Sequence, residues 1–217
     1  MSGTPTIQID NPKFLKNPPA SYDCVMVLGK TYLSYALLDE AHTTAFAIRH
    51  YDFGTQTVGK SDFDTLLSER LVQKATRYFL AVDTIKQTTI PSELYQADKK
   101  HLYVQHLFEV DYGEVLHEMT VGAAYTNVFV LKKDSVQYFN HRIRNLQFFS
   151  SAAVTLSSYP AHSDDAADQT VFVGYTGDGF TISAFKQKEL LFQRSFAGFQ
   201  SDDILYHLAN LTARYQF

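Results

Sequence analysis

Three apolar stretches open the patterned part of the chain. Residues 24–29 and 32–39 read as two strands and residues 43–53 as a third, with short turns at Gly29-Lys30-Thr31 and Glu40-Ala41-His42. A polar break at 54–60 precedes Ser61, a helix N-cap residue, with Asp62 and Asp64 placed where carboxylates favour the helix dipole. Phe63, Leu66, Leu67, Leu71, Ala75 and Tyr78 then recur at helical spacing, which predicts one amphipathic helix over 62–79. Residues 80–90 are strand-like and end at Pro91.

The middle of the chain predicts strands at 102–110, 115–121, 127–132 and 143–148. A short helix falls at 135–140 and another at 150–158. The polar, acidic stretch 160–168 is the best domain boundary. Beyond it the opening pattern returns: strands at 170–175, 180–185 and 190–196, a Gly177-Asp178-Gly179 turn, and a helix capped by Ser201 with Asp202 and Asp203 behind it. Leu33-Ser34-Tyr35-Ala36-Leu37 aligns with Phe180-Thr181-Ile182-Ser183-Ala184. Strand, strand, strand, polar break and acidic capped helix occur twice, which points to an internal duplication. The expected organisation is a flexible leader (1–20), a first half (21–159) with an inserted or appended strand-helix subdomain, and the start of a second half (169–217).

Composition narrows the function classes. The 19 basic and 23 acidic residues give a net charge of −4 without long blocks, which disfavours a nucleic-acid binder. Residues 1–19 lack the charged start and apolar run of a signal peptide, and no apolar segment reaches the roughly 18 residues a membrane span needs. The single cysteine, Cys24, lies in an apolar strand and fits a packing role in a reducing compartment. A cytoplasmic protein with no membrane span is expected.

Several constellations carry less than they suggest. Gly29-Lys30-Thr31 ends like a P-loop, but the glycine required five residues earlier is Cys24, and the turn joins two strands instead of opening a helix. His162, Asp164, Asp165 and Asp168 read as a solvated loop. Glu114, His117 and Glu118 lack the second histidine of a zinc-protease motif, whose place is Val121. Tyr32/Tyr35 and Tyr51/Phe53 read as strand packing before an exposed binding surface. No catalytic residue and no metal site are expected.

Two βββα units, each continuing into further strands and helices, resemble the duplicated ribonuclease-H-like fold of the actin-like ATPases. The residues that carry this are the 27–39 hairpin, Ile90-Pro91-Ser92-Glu93-Leu94-Tyr95, the 127–158 stretch, and the 180–196 hairpin running into Ser201-Asp202-Asp203-Ile204-Leu205-Tyr206. The chain resembles a bacterial family of unknown function with this α/β fold and mixed sheets. It is more distantly similar to actin-like proteins of cell division and pilus assembly. The second half reads as incomplete, which leaves the strand at 170–175 as an open edge for a homodimer or another protein.

The resemblance also implies a chemistry. Active members of the fold carry Asp-x-Gly at the first hairpin of each half, the aspartate serving magnesium and the turn cradling phosphate. Here the first motif is Val27-Leu28-Gly29 and the second Gly174-Tyr175-Thr176, so both aspartates are missing. Gly29, Lys30, Thr31, Gly177, Asp178 and Gly179 are the remnant nucleotide-binding turns. The resulting expectation is a pseudoenzyme that binds a protein partner and needs no cofactor. The alternative is a divergent nucleotide-binding protein or ATPase that uses Mg-ATP in the interdomain cleft.

Overall fold

The structure is a computed structural model that describes residues 4–162, 169–176, 179–187, 189–198 and 201–215. In chain order the first elements are β1 (Ile7–Asp10), α1 (Pro12–Lys16), β2 (Asp23–Leu28), β3 (Tyr32–Leu38), β4 (Ala45–Asp52), α2 (Lys60–Leu67), α3 (Arg70–Gln73) and β5 (Arg77–Val82). Next come β6 (Gln87–Pro91), α4 (Lys100–Gln105), β7 (Glu114–Val121), β8 (Tyr125–Lys132), α5 (Lys133–Arg142), β9 (Gln147–Ser150) and α6 (Ser151–His162). The last are β10 (Gln169–Thr176), β11 (Gly179–Lys186), β12 (Glu189–Ala197) and α7 (Ser201–Tyr215). They form two discontinuous units, residues 1–83 with 133–149 and residues 84–132 with 150–217.

The first unit is built on a six-stranded mixed sheet ordered β1-β4-β3-β2-β5-β9. β2 and β3 are an antiparallel hairpin, and β5 returns parallel to β2 with Leu28 opposite Val82. Alternate residues of these strands (Cys24, Met26, Leu33, Tyr35, Leu37 and Leu80) bury one face against Phe63 and Leu66 of α2, Val72 of α3 and Phe139 of α5.

Three expectations change here. The leader is not bare: β1 pairs antiparallel with β4, and Phe14 of α1 stacks on Phe46 at 4.6 Å. Asn11 accepts from Lys13 N and caps α1, with proline at its first position. The helix over 62–79 is instead α2 and α3, after which the chain turns into β5. Tyr78 pairs with Cys24, so partnership with β2 overrides the helical spacing. The cap of α2 is Gly59, not Ser61, and the Asp62 carboxylate accepts the Gly59 amide at 2.8 Å.

The second unit holds two three-stranded antiparallel sheets, β6-β8-β7 and β10-β11-β12. The strand read at 80–90 is two strands in different sheets. The strand read at 102–110 is instead the short helix α4, whose Val104 is buried between Ile90, Val128 and Val130 with Tyr103 packed partly against the same cluster. The strand read at 143–148 shifts to β9, while Ile143 and Leu146 bury in the turn before it.

The repeated hairpin-and-helix pattern is present. β11 is buried along almost its whole length because both faces are covered. Phe180 and Ile182 meet Leu211, Leu208 and Ile204 of α7. Phe185 meets Ala153 and Leu156 of α6. A buried polar network ties this sheet to its neighbours. Gln87 donates to Ser195, Asn127 donates to Gln87 and Thr89, and Ser150 donates to Gln87. Thr181 and Ser195 share a 2.8 Å bond.

Candidate functional site

The place to look for a ligand in a sheet of this kind is beyond the carboxyl ends of its parallel strands. In the first unit these are the ends of β2 and β5, where Asp83 N donates to Leu28 O at 2.9 Å. This juxtaposition brings Asp83 beside the Gly29-Lys30-Thr31 turn.

The turn is tight, closed by one backbone bond and tied to the chain after β4 by two more. Gly29 N donates to Tyr32 O at 3.0 Å, Lys30 O accepts from Val58 N at 2.8 Å, and Thr31 O accepts from Phe53 N at 2.8 Å. The side chain of Tyr32 folds back over it. A Cβ on Gly29 would overlap the Tyr32 ring, so glycine is required here by the aromatic that covers it. The Tyr32 hydroxyl donates to the Asp83 carboxylate. Burial, with the carboxylate next to it, raises the Tyr32 phenol well above its ordinary value. The phenol is therefore protonated throughout the neutral range and holds the ring over the turn. Asp83 is the residue that sequence reasoning missed. Its only signal is position: it directly follows the strand that pairs parallel with the Gly29 strand.

Beside Tyr32 on β3, Ser34 Oγ and His50 Nδ1 lie 2.7 Å apart. The two residues stand directly opposite in the β3–β4 register, so this is a cross-strand pair. Tyr35 and Tyr51 both give their hydroxyls to Glu69, at 2.5 and 2.8 Å, beside a small cavity of about 80 Å³. They belong to the packing of the first unit, as read from sequence. Phe53 lines the same cavity.

At the opposite end of β2, Asp23 is fully buried and receives two hydrogen bonds from Arg77, at 2.9 and 2.6 Å. His42 Nε2 lies 2.5 Å from the same carboxylate. His42 reaches it because its backbone adopts φ 56° in the β3–β4 turn, which Asp39 organises by accepting the Thr43 and Thr44 amides. The Arg77 hydrogen bonds, opposed by desolvation and aided by His42, hold Asp23 below the usual carboxylate range.

The second remnant turn is only partly placed. Gly177 and Asp178 lie outside the described residues, as does the cluster Asp164, Asp165 and Asp168. Gly179 begins β11 opposite Ala197, so close to the Phe196 carbonyl that any side chain would collide with backbone. Its glycine has a packing reason. Cys24 is buried, and its thiol is raised by desolvation and by neighbouring Glu69 and Asp23, which makes it a packing residue. No helix among the described residues is long and apolar enough to cross a membrane.

The fold defined by these sheets is the actin-like ATPase fold. A protein with that fold and unknown function from Bacteroides thetaiotaomicron matches 95% of this chain and 81% of its own at a TM-score of 0.83, with 16% identity. A chain of the PilM–PilN type IV pilus biogenesis complex matches 88% of this chain and 66% of its own at a TM-score of 0.53, with 9% identity. The chain belongs to the protein family of unknown function DUF3822, whose profile matches residues 12–217. No curated protein sequence matches it significantly.

Proposed function

We propose that the protein is a non-catalytic member of the actin-like fold, resident in the cytoplasm, that acts by binding another protein. The observation that carries this is the covered turn. Val27 stands where an aspartate would serve magnesium, and a hydrophobic side chain offers a hard cation nothing. Tyr32 occupies the space over Gly29 that an incoming phosphate would need, and Asp83 fixes it there. That a fold neighbour is a component of a protein complex accords with the reading. The free, buried Cys24 accords with a reducing compartment.

One observation favours the rival reading, a divergent nucleotide-binding protein. Asp83 is a carboxylate at the carboxyl ends of two parallel strands, where the ligands of open α/β sheets bind. The test is a thermal melt in Mg-ATP and Mg-ADP. A ligand that binds only the folded state adds about 2.7 kcal/mol at a hundredfold excess over its Kd. We expect an unchanged melting temperature to millimolar nucleotide. A saturable rise of several degrees would replace this proposal with the rival.

A further inference from the structure

A chain of net charge −4 carries one dense run of basic residues, His141-Arg142-Ile143-Arg144, where α5 turns into β9. Ile143 and Leu146 are drawn into the core of the first unit, which leaves Arg142, Arg144 and Asn145 at the surface. Asn145 makes the turn with φ 57°, a left-handed conformation that asparagine accepts more readily than most residues. These three line a groove of about 570 Å³ together with Asp64 of α2, Gln73 of α3 and Tyr78 of β5, all within the first unit. That capacity is in the range of ligand pockets. The groove's charges are not equivalent. Arg142 donates to Asp64 at 3.0 Å and lies 5.7 Å from the centroid of the Tyr138 ring, so it is held in place and its charge is already answered. Asp64, the one carboxylate in the lining, also accepts the Tyr138 hydroxyl at 2.7 Å. Arg144 has no ion pair among the described residues, and the side-chain amides of Gln73 and Asn145 have no hydrogen-bond partner there.

We propose that this groove receives an acidic segment of the partner protein. A carboxylate on that segment takes the planar fork of Arg144, which can donate two parallel hydrogen bonds to it. The Gln73 and Asn145 amides donate to backbone carbonyls of the segment, and Leu67 and Tyr78 supply partly buried apolar surface beside them. The lining holds two guanidinium groups and one carboxylate, so its surplus of one positive charge suits a single acidic side chain. That surplus is too small for a nucleic acid, whose affinity grows with the number of phosphates neutralised. A lone inorganic anion would engage the arginine and leave the amides unused. The inference gives the partner of the interaction reading its chemistry and rests on that reading. The nucleotide melt tests the reading separately.

The probe is a phage-displayed library of random peptides, selected against the full chain. Enriched peptides are expected to carry aspartate or glutamate. A fluorescein-labelled synthetic copy of the most enriched one should bind in anisotropy titrations, and more weakly as salt rises. R144E is expected to weaken that binding by about tenfold or more. Q73A weakens it less and leaves the salt dependence unchanged, because it removes a neutral donor. K13E, the same change of charge outside the groove, leaves binding unaltered. Arg144 is exposed, and circular dichroism of R144E confirms its fold. Selected peptides without acidic residues, or acidic peptides indifferent to R144E, overturn the inference. So does a selection that enriches nothing, or Arg144-dependent binding of single-stranded DNA in place of peptide. In each of these cases a flat nucleotide melt leaves the interaction reading standing and removes only the groove.

Discussion

Asp23 shows how one residue ties chemistry to stability. Its carboxylate is buried at the start of β2, and Arg77 supplies two of its hydrogen bonds. Removing one partner of such a pair strands a charge, which costs more than the pair contributes. Arg77→Met is therefore expected to lower the midpoint of urea unfolding, with His42 left as the remaining side-chain partner of the carboxylate. The pH dependence follows from the direction of the shift. The folded pKa lies below the ordinary value of 3.8, so the contribution is complete above about pH 4 and is lost as pH falls through the folded value. Asp23→Asn should flatten the acid limb of stability against pH; an unchanged limb would show that another group controls it. None of this was legible in the sequence. Asp23, His42 and Arg77 are far apart in the chain, and they meet only because β2 pairs with β5 and the β3–β4 turn folds His42 inward.

At the scale of elements, the Gly29 turn makes the sharpest prediction. A Cβ at residue 29 must displace the Tyr32 ring, so Gly29→Ala should destabilise by about 1–3 kcal/mol. The ring is the obstacle, so the same change should cost much less in a Tyr32→Ala background. Additive costs in that double-mutant cycle would place the strain in the backbone instead. The cap of α2 gives a smaller effect: Asp62→Ala removes the acceptor of the Gly59 amide and should cost about 1 kcal/mol. The strand hairpins and both βββα patterns were legible, since alternation and turn residues are local signals. The elements that failed were those decided by distant partners. Residues 77–79 carry helical spacing but pair with β2, and residues 102–105 look like a strand but bury only Val104 fully against β6 and β8, with Tyr103 partly buried beside it. In the site, Gly29 was legible as a turn. The tyrosine that covers it and the aspartate that anchors it were not, because a sequence separation of 51 between Tyr32 and Asp83 hides their contact.

The whole molecule is two units whose chain segments interleave. The first unit needs Phe139, Ile143 and Leu146 from beyond the excursion to complete its core. A fragment ending at residue 132 should therefore lack a cooperative unfolding transition for that unit, although it holds five of the six strands; a sharp transition would show that α5 and β9 are dispensable. In the second unit, Gln87 is the hub of the polar network. Gln87→Leu leaves Asn127, Ser150 and Ser195 without it and should cost about 2–4 kcal/mol by equilibrium unfolding. Interleaving also matters while the protein is being made. A ribosome releases β5 well before the strand that flanks it, and at about 5–20 residues per second the nascent sheet waits several seconds with that side bare. For that interval the growing chain has a sticky flank, and its yield in a cell will depend on translation speed and on holding chaperones, however stable the finished protein is.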